Sequence, residues 1–289
     1  MGLDLHGTRV LLYARSLGVS LDHVAMLGRQ TLHLSVAELR ELLQLFDLST
    51  DAEEVDALLS RAQGYAEPLF QRLGAETVSS FDASGYEQCT DVVDFNLPIA
   101  ERYHRQYTLM LDSGSLEHIF NFPVAIRNCM EIVAPYGHVL SIVPANNFLG
   151  HGFYQFSPEL FFRVFSSANG FAVLKMLVYE DRPGTDWYEV ADPERAGRRA
   201  ELANRYPTYL AVLAQRVKVV PLFTDKVMQS DYVRLWQRAD TAVQGYMRAL
   251  GRRYMKYIPA RARMLYAAFE RRGLLSRYDP ALFKRVQLP

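Results

Sequence analysis

A histidine stands between two glycines at Gly150-His151-Gly152, followed by Phe153, Tyr154 and Gln155. An imidazole titrates near neutrality and can take a proton from a hydroxyl or an amine, and flanking glycines let a ligand approach closely. His151 is therefore the candidate general base, with Tyr154 as a second catalytic candidate. The alternative for His151 is a loop histidine that bonds backbone and shapes a turn. Carboxylates recur at Asp82, Asp94 and Asp112, each closing a short apolar or β-prone run. His118 directly follows Glu117, Asn147 lies just past a further apolar run, and Glu159 follows Ser157-Pro158. His118, Asn147 and Glu159 are candidates for contact with a substrate. Ser157-Pro158-Glu159 reads equally well as a helix start, with Ser157 as N-cap and Pro158 at the first helical position.

Other chemistries lack their signatures. The seven histidines show neither HxxxH nor HExxH spacing, so no metal is expected. There is no GxxxxGK[ST] loop for phosphates, no GxSxG elbow and no GxGxxG turn. Cys89 and Cys129 form no CxxC pair and read as two reduced thiols.

The elements that must carry these residues alternate along the chain. Short strand-like runs lie at 23–28, 76–81, 91–94, 107–112, 138–144, 171–179 and 208–216. Helical segments lie at 8–19, after Ser35, from Thr50 or Asp51 to Ala62, and at 66–73, 124–133 and 158–165. Ser35-Val36-Ala37-Glu38 is a capping box, and Gly74 stands where a helix ends. Strands separated by helices predict an α/β, Rossmann-like, mostly parallel sheet with helices on both faces. Ligands of such sheets bind at the carboxyl ends of the strands, where Gly28 and the three acids fall.

Three regions follow: an N-terminal helix (1–21), the α/β domain (22–220) and a basic, helical C-terminal extension (221–289). Between Arg248 and Arg285 eleven Lys or Arg face two acids, Glu270 and Asp279. That is either a docking surface for a protein partner or a second copy of the chain, or a solvated helical face. The chain as a whole has zero formal net charge, which does not point to nucleic acid. The run Val10–Ala14 is broken by Arg15, and no stretch approaches the ~18 apolar residues of a membrane span. Met1-Gly2 has His6 where myristoylation needs Ser or Thr. A soluble protein of the reducing cytoplasm, with no membrane span, is the expectation.

Tyr107 to Asn121 (YTLMLDSGSLEHIFN), Val133-Ala134-Pro135-Tyr136-Gly137 and Thr208 to Ala214 together carry a resemblance. Over residues 22–217 the chain resembles the class I S-adenosylmethionine-dependent methyltransferases. That resemblance implies S-adenosylmethionine as cofactor. It implies Asp82 at the ribose hydroxyls, Asp94 at the adenine amine with Phe95 stacked on the ring, and Asp112, Ser113 and Gly114 along the methionine end. The family's glycine-rich turn, an acid followed by x-G-x-G-x-G, is reduced here to Gly28 within Met26-Leu27-Gly28-Arg29-Gln30-Thr31. Segments 81–87, 94–98 and 147–159 resemble, more narrowly, a methyltransferase-like group encoded with polysaccharide or secondary biosynthetic genes. The implied reaction is methyl transfer to oxygen or nitrogen of a small molecule, sugar or glycan precursor. The alternative, which the reduced glycine motif favours, is a methyltransferase-like protein without transfer activity that binds a partner through its basic C-terminal helices. A nucleic-acid substrate is not expected, because no Asn-Pro-Pro-Tyr-type motif follows the fourth strand.

Overall fold

The computed structural model describes residues 2–239 and 278–289. In chain order the elements are β1 (Gly2–Leu3), α1 (Leu5–Ser16), β2 (His23–Leu27), β3 (Thr31–Leu32), α2 (Val36–Leu45), α3 (Ala52–Ala62), α4 (Glu67–Arg72), β4 (Thr77–Asp82), β5 (Asp91–Val92), β6 (Tyr107–Ser113), α5 (Phe122–Ile132), β7 (Val133–Asn146), α6 (Pro158–Val164), β8 (Phe171–Glu180), β9 (Trp187–Val190), α7 (Pro193–Ala196), β10 (Thr208–Arg216), α8 (Ser230–Ala239) and β11 (Phe283–Val286).

One nine-stranded sheet organises the molecule, in the order β11-β9-β8-β10-β7-β6-β2-β4-β5. The half from β5 to β7 is parallel, and β10 inserts antiparallel between β7 and β8. The chain runs outward from β2 to β4 and β5, then returns to place β6 on the other side of β2. That reversal is the switch point at which open α/β sheets leave a crevice above the strand ends. Leu27 and Asp112 are register partners there.

Strand residues alternate between two cores, as a two-residue period requires. Ala25, Leu27, Met110, Val139 and Val143 face one side, under α5 and α6. Val24, Met26, Leu109, Leu111, Leu140 and Ile142 face the other, under α1 to α4. Both faces are covered, which is why the parallel strands read as near-continuous apolar runs.

Local chemistry sets the helix ends. Ser35 and Glu38 form the reciprocal capping box, and Asp51 accepts from the Glu54 amide at 2.9 Å. The C-terminus of α5 is closed by a distant side chain. Arg216, buried at the end of β10, donates through Nη1 to the carbonyls of Met130 and Val133 at 3.0 and 2.9 Å. These are carbonyls that a helix end leaves without partners.

Three features differ from the reading of the sequence. Pro135-Tyr136-Gly137, which reads as the turn closing a helix, lies inside β7, where the ladder with β6 slips between Tyr107 and Leu109. The polar segment 181–206 contributes β9 as well as α7. The end of the chain adds β11 as an edge strand on β9. Of the basic extension, α8 is described, while its continuation to Leu250 and the helix at 260–272 lie outside the described residues. Among the described residues no helix is long and apolar enough to cross a membrane.

Replacing Arg216 with Leu should leave two buried carbonyls without their donor. The expected cost is roughly 2–3 kcal/mol. A urea titration should show a lower midpoint with an unchanged slope.

Candidate functional site

The site begins where β6 ends. Asp112 is completely buried, and its carboxylate is fully used. Oδ1 accepts from the amides of Ser115 and Leu116 at 2.9 and 3.2 Å, and Oδ2 accepts from the Ser141 hydroxyl at 2.6 Å. Burial pushes this carboxyl up to about 6 despite those bonds. Asp112 thus fixes the turn leaving the strand, and Gly114, at φ +83°, completes it. Ser113 donates to the carbonyl of Gly2, which pins the start of the chain against the end of β6.

The turn leads into a single 3-10 turn, Leu116–His118. It delivers Glu117 inward, at 0% exposure, with neither carboxyl oxygen hydrogen-bonded. Burial, with Asp112 nearby, pushes Glu117 up to about 8. Two imidazoles face it. His151 Nε2 lies 3.4 Å from Glu117 Oε1 and His118 Nε2 lies 4.0 Å away. The two rings meet edge-on with centroids 5.0 Å apart. Partial burial and the neighbouring His151 lower the pKa of His118.

His151 reaches this point because its loop docks on the 3-10 turn. The Phe153 amide donates to the Glu117 carbonyl at 2.7 Å. Gly152 sits at φ +68°, and a Cβ there would come within 2.8 Å of that same carbonyl oxygen. The glycine of the Gly-His-Gly motif therefore serves the approach of one backbone to another. The remaining loop polar groups hold the loop itself. Tyr154 donates to the Phe120 carbonyl at 2.6 Å. Asn147, at φ +61°, spends its amide on Asn204 and the Tyr206 carbonyl. Phe120 and Phe153 are exposed and pack edge to face, forming an apolar lip.

The other expected positions are distributed as follows. Gly28 takes φ +71° and its amide donates to the Phe81 carbonyl. Asp82 is half-buried at the end of β4, with Oδ1 accepting from the Ser84 amide. Asp94 is exposed and closes a turn by accepting from Asn96. That turn sends Phe95 into the core, 2% exposed and packed on Phe81, so its ring is not free to stack on an adenine. Glu159 lies elsewhere, beside a cavity of about 550 Å³ whose lining also includes Arg163, Arg199 and Arg234. Its Oε1 accepts from the Ser230 amide at 2.7 Å. The structure therefore unites His118, His151 and Gly114, and does not bring Glu159 or Phe95 to them.

Two residues at the strand ends escaped the reading of the sequence. Glu117 sits in Leu116-Glu117-His118-Ile119-Phe120, where nothing local marks it as the buried member. Gln30 is also fully buried. Its Nε2 donates to the Leu27 carbonyl at 2.6 Å, alongside the Ser115 hydroxyl, and its Oε1 is left without a partner. Arg29 turns away, paired with Glu67 at 2.6 Å and lying over the Tyr65 ring. Glu117, His118 and His151 also have the ligand types of a metal site, with one potential ligand atom from each within 4.8 Å of the others. Spacing rules could not flag this set, because its third member arrives from a different loop.

No family model matches the sequence, and no curated protein matches it. Solved structures match parts of this chain at low identity and with TM-scores under 0.5. One is the branched-chain polyamine synthase of Thermus thermophilus, at 12% identity and a TM-score of 0.37 over 78% of this chain and 60% of that one. Another is a putative sarcosine dimethylglycine methyltransferase from Galdieria sulphuraria, at 13% and 0.37 over 72% and 85%. A third is the 16S rRNA (adenine(1408)-N(1))-methyltransferase of Catenulisporales acidiphilia, at 11% and 0.33 over 78% and 96%. This chain thus spans less than two thirds of the polyamine synthase. The fold is Rossmann-like by its own strand order, a parallel half that reverses at β2 and β6 and an antiparallel β10 set between β7 and β8.

Glu117 gives a pH-dependent term in stability. The unfolded chain releases this proton near the ordinary carboxyl value of 4.5, and the folded chain holds it up to about 8. The folded state thus binds more protons across that window, and the stabilisation present at low pH is lost as pH rises through about 8. With chelator present, wild type should lose stability relative to Glu117→Gln between pH 5 and pH 8, read as urea midpoints. Parallel pH profiles would contradict this reading.

Proposed function

We propose that this protein transfers the methyl group of S-adenosylmethionine to an oxygen or nitrogen of a small molecule, sugar or glycan precursor. The observation that carries the reading is the collection of polar groups at the carboxyl ends of β2, β4 and β6, beside the switch point. Gly28, Asp82, Glu117 and His118 lie at these ends or on the loops that follow them, and His151 joins them from the loop after β7. A crevice at that position is where an open α/β sheet binds its ligand.

Asp82 suits the ribose end of the cofactor, being half-buried with its second oxygen free of the bond to Ser84. Asp94 is the exposed acid at the neighbouring strand end. Gly114 gives the chain room beside Glu117, since a Cβ there would stand 3.3 Å from Oε1. The bound cofactor would supply an already activated methyl group, so the protein's task is positioning. The acceptor side is the loop 147–156, where His151 faces outward and the Phe120–Phe153 lip offers an apolar surface. Glu117 lies 3.4 Å from the His151 ring nitrogen, and His151 can receive the proton that the acceptor gives up.

A second reading has its own observation. Where the family's glycine-rich turn leaves open space, Gln30 is folded into the end of β2 and Arg29 is tied to Glu67. A protein with the fold but without the transfer activity, acting on a partner through its basic C-terminal extension, fits that packing. It would work in the soluble cytoplasmic phase and bind a protein or a second copy of itself.

Isothermal titration with S-adenosylmethionine and with S-adenosylhomocysteine separates the two. Micromolar binding that weakens at least ~10-fold in Asp82→Ala is expected from loss of a charge-assisted hydrogen bond. If neither ligand binds wild type at high protein concentration, the transfer reading fails and the partner reading stands.

A further inference from the structure

We propose that Glu117, His118 and His151 form a binding site for one divalent transition-metal ion, of the zinc or ferrous class, with an open coordination position facing solvent. Two imidazoles and one carboxylate are a donor set that such ions use, and three protein ligands leave room for water or substrate.

The buried carboxyl is the strongest argument. Glu117 is 0% exposed, and neither of its oxygens has a hydrogen-bond partner. Burying such a group without compensation is costly, and proteins that do so pair it or bind a metal with it. The groups facing it are the two imidazoles and the nearby buried Asp112. Asp112 adds negative potential and offers no proton or cation in return. A divalent ion would satisfy Glu117.

The two separations from Glu117 nearly fit, and all three ligand atoms lie within 4.8 Å of one another. Ligand atoms about 2.0–2.2 Å from a metal stand roughly 3–3.6 Å apart. The His151–Glu117 separation of 3.4 Å already lies in that range. The His118–Glu117 separation of 4.0 Å needs only a small side-chain adjustment. Both imidazoles are half-exposed, at 44% and 48%, so they are free to make it. Their backbones are fixed. Asp112 holds the 3-10 turn that carries Glu117 and His118, and the Phe153 amide bond with the close approach of Gly152 holds the loop that carries His151. Such preorganisation lets an ion bind without refolding the loop. The exposed sides of the two rings leave the outer coordination position open.

Ion binding needs no methyl transfer, and an ion held by His151 would take the place of the proton that this imidazole accepts in the transfer reading. Any part the ion plays in holding an acceptor oxygen rests on the transfer reading. The test therefore omits the cofactor. Untagged full-length protein, stripped with chelator and dialysed, is titrated calorimetrically with zinc chloride and, in parallel, with cobalt chloride monitored by visible absorption.

Wild type should bind one ion per chain with micromolar or tighter affinity, and bound cobalt should develop ligand-field absorption. His118→Ala and His151→Ala, both at half-exposed positions, should keep their melting temperatures in chelator. Each should weaken binding by at least the ~10–100-fold typical even of losing an outer-shell partner. Glu117→Gln should abolish the cobalt spectrum. His23→Ala, at the opposite end of β2, should change nothing. Absence of binding to wild type overturns the proposal, as does binding that the His118→Ala/His151→Ala double variant retains.

Discussion

Three hydrogen bonds to one buried carboxylate hold the carboxyl end of the central strands together. Asp112 accepts from two amides of the turn that follows it and from Ser141 on the neighbouring strand. It thereby fixes how the chain leaves β6, and the 3-10 turn beyond can point Glu117 into the protein instead of out into solvent. The docking of the 147–156 loop, the meeting of the two histidines and the closure of the strand ends all depend on that geometry. A buried carboxylate is costly unless its oxygens are used, and here they are.

Glu117 shows the opposite balance. It is as deeply buried as Asp112 but has none of its bonds. The fold tolerates this because the stable central strands and the Asp112 turn over-determine the position. Functional sites are where such unresolved local costs tend to persist. The gathering of Gln30, Ser115, Glu117, His118 and His151 above the switch point gives the strand ends a polar interior beneath a partly open surface.

The strand ends carry three unlike groups of side chains. On the β4 side, Asp82 and Asp94 remain at or near the surface, in short Asx-type turns that leave oxygens accessible. On the β2 side, Gln30 and the Arg29–Glu67 pair occupy the region after Gly28. On the β6–β7 side the histidine cluster and the apolar lip face outward. A mostly parallel α/β sheet supplies the platform for all three, and the chemistry belongs to the side chains each loop contributes.

Much of this architecture was legible in the sequence because it is encoded locally. Apolar runs such as Val24–Leu27 and Leu109–Leu111 mark strands buried on both faces. Ser35 with Glu38, and Asp51 with Glu54, mark helix starts within four residues. Their alternation gives the parallel sheet and the end of it where a ligand belongs. Hairpin strand β9 and edge strand β11 were not legible, since short edge strands carry little pattern and are defined by the partner they meet. The site's key decisions were likewise tertiary. Phe95 turns inward because the Asp94 turn redirects the chain onto Phe81. Glu117 meets His151 because a glycine lets two distant backbones touch. Sequence periodicity reports which face of an element a residue occupies, whereas contact between separate loops depends on strand register and on the turns that aim them, and only the folded chain fixes those.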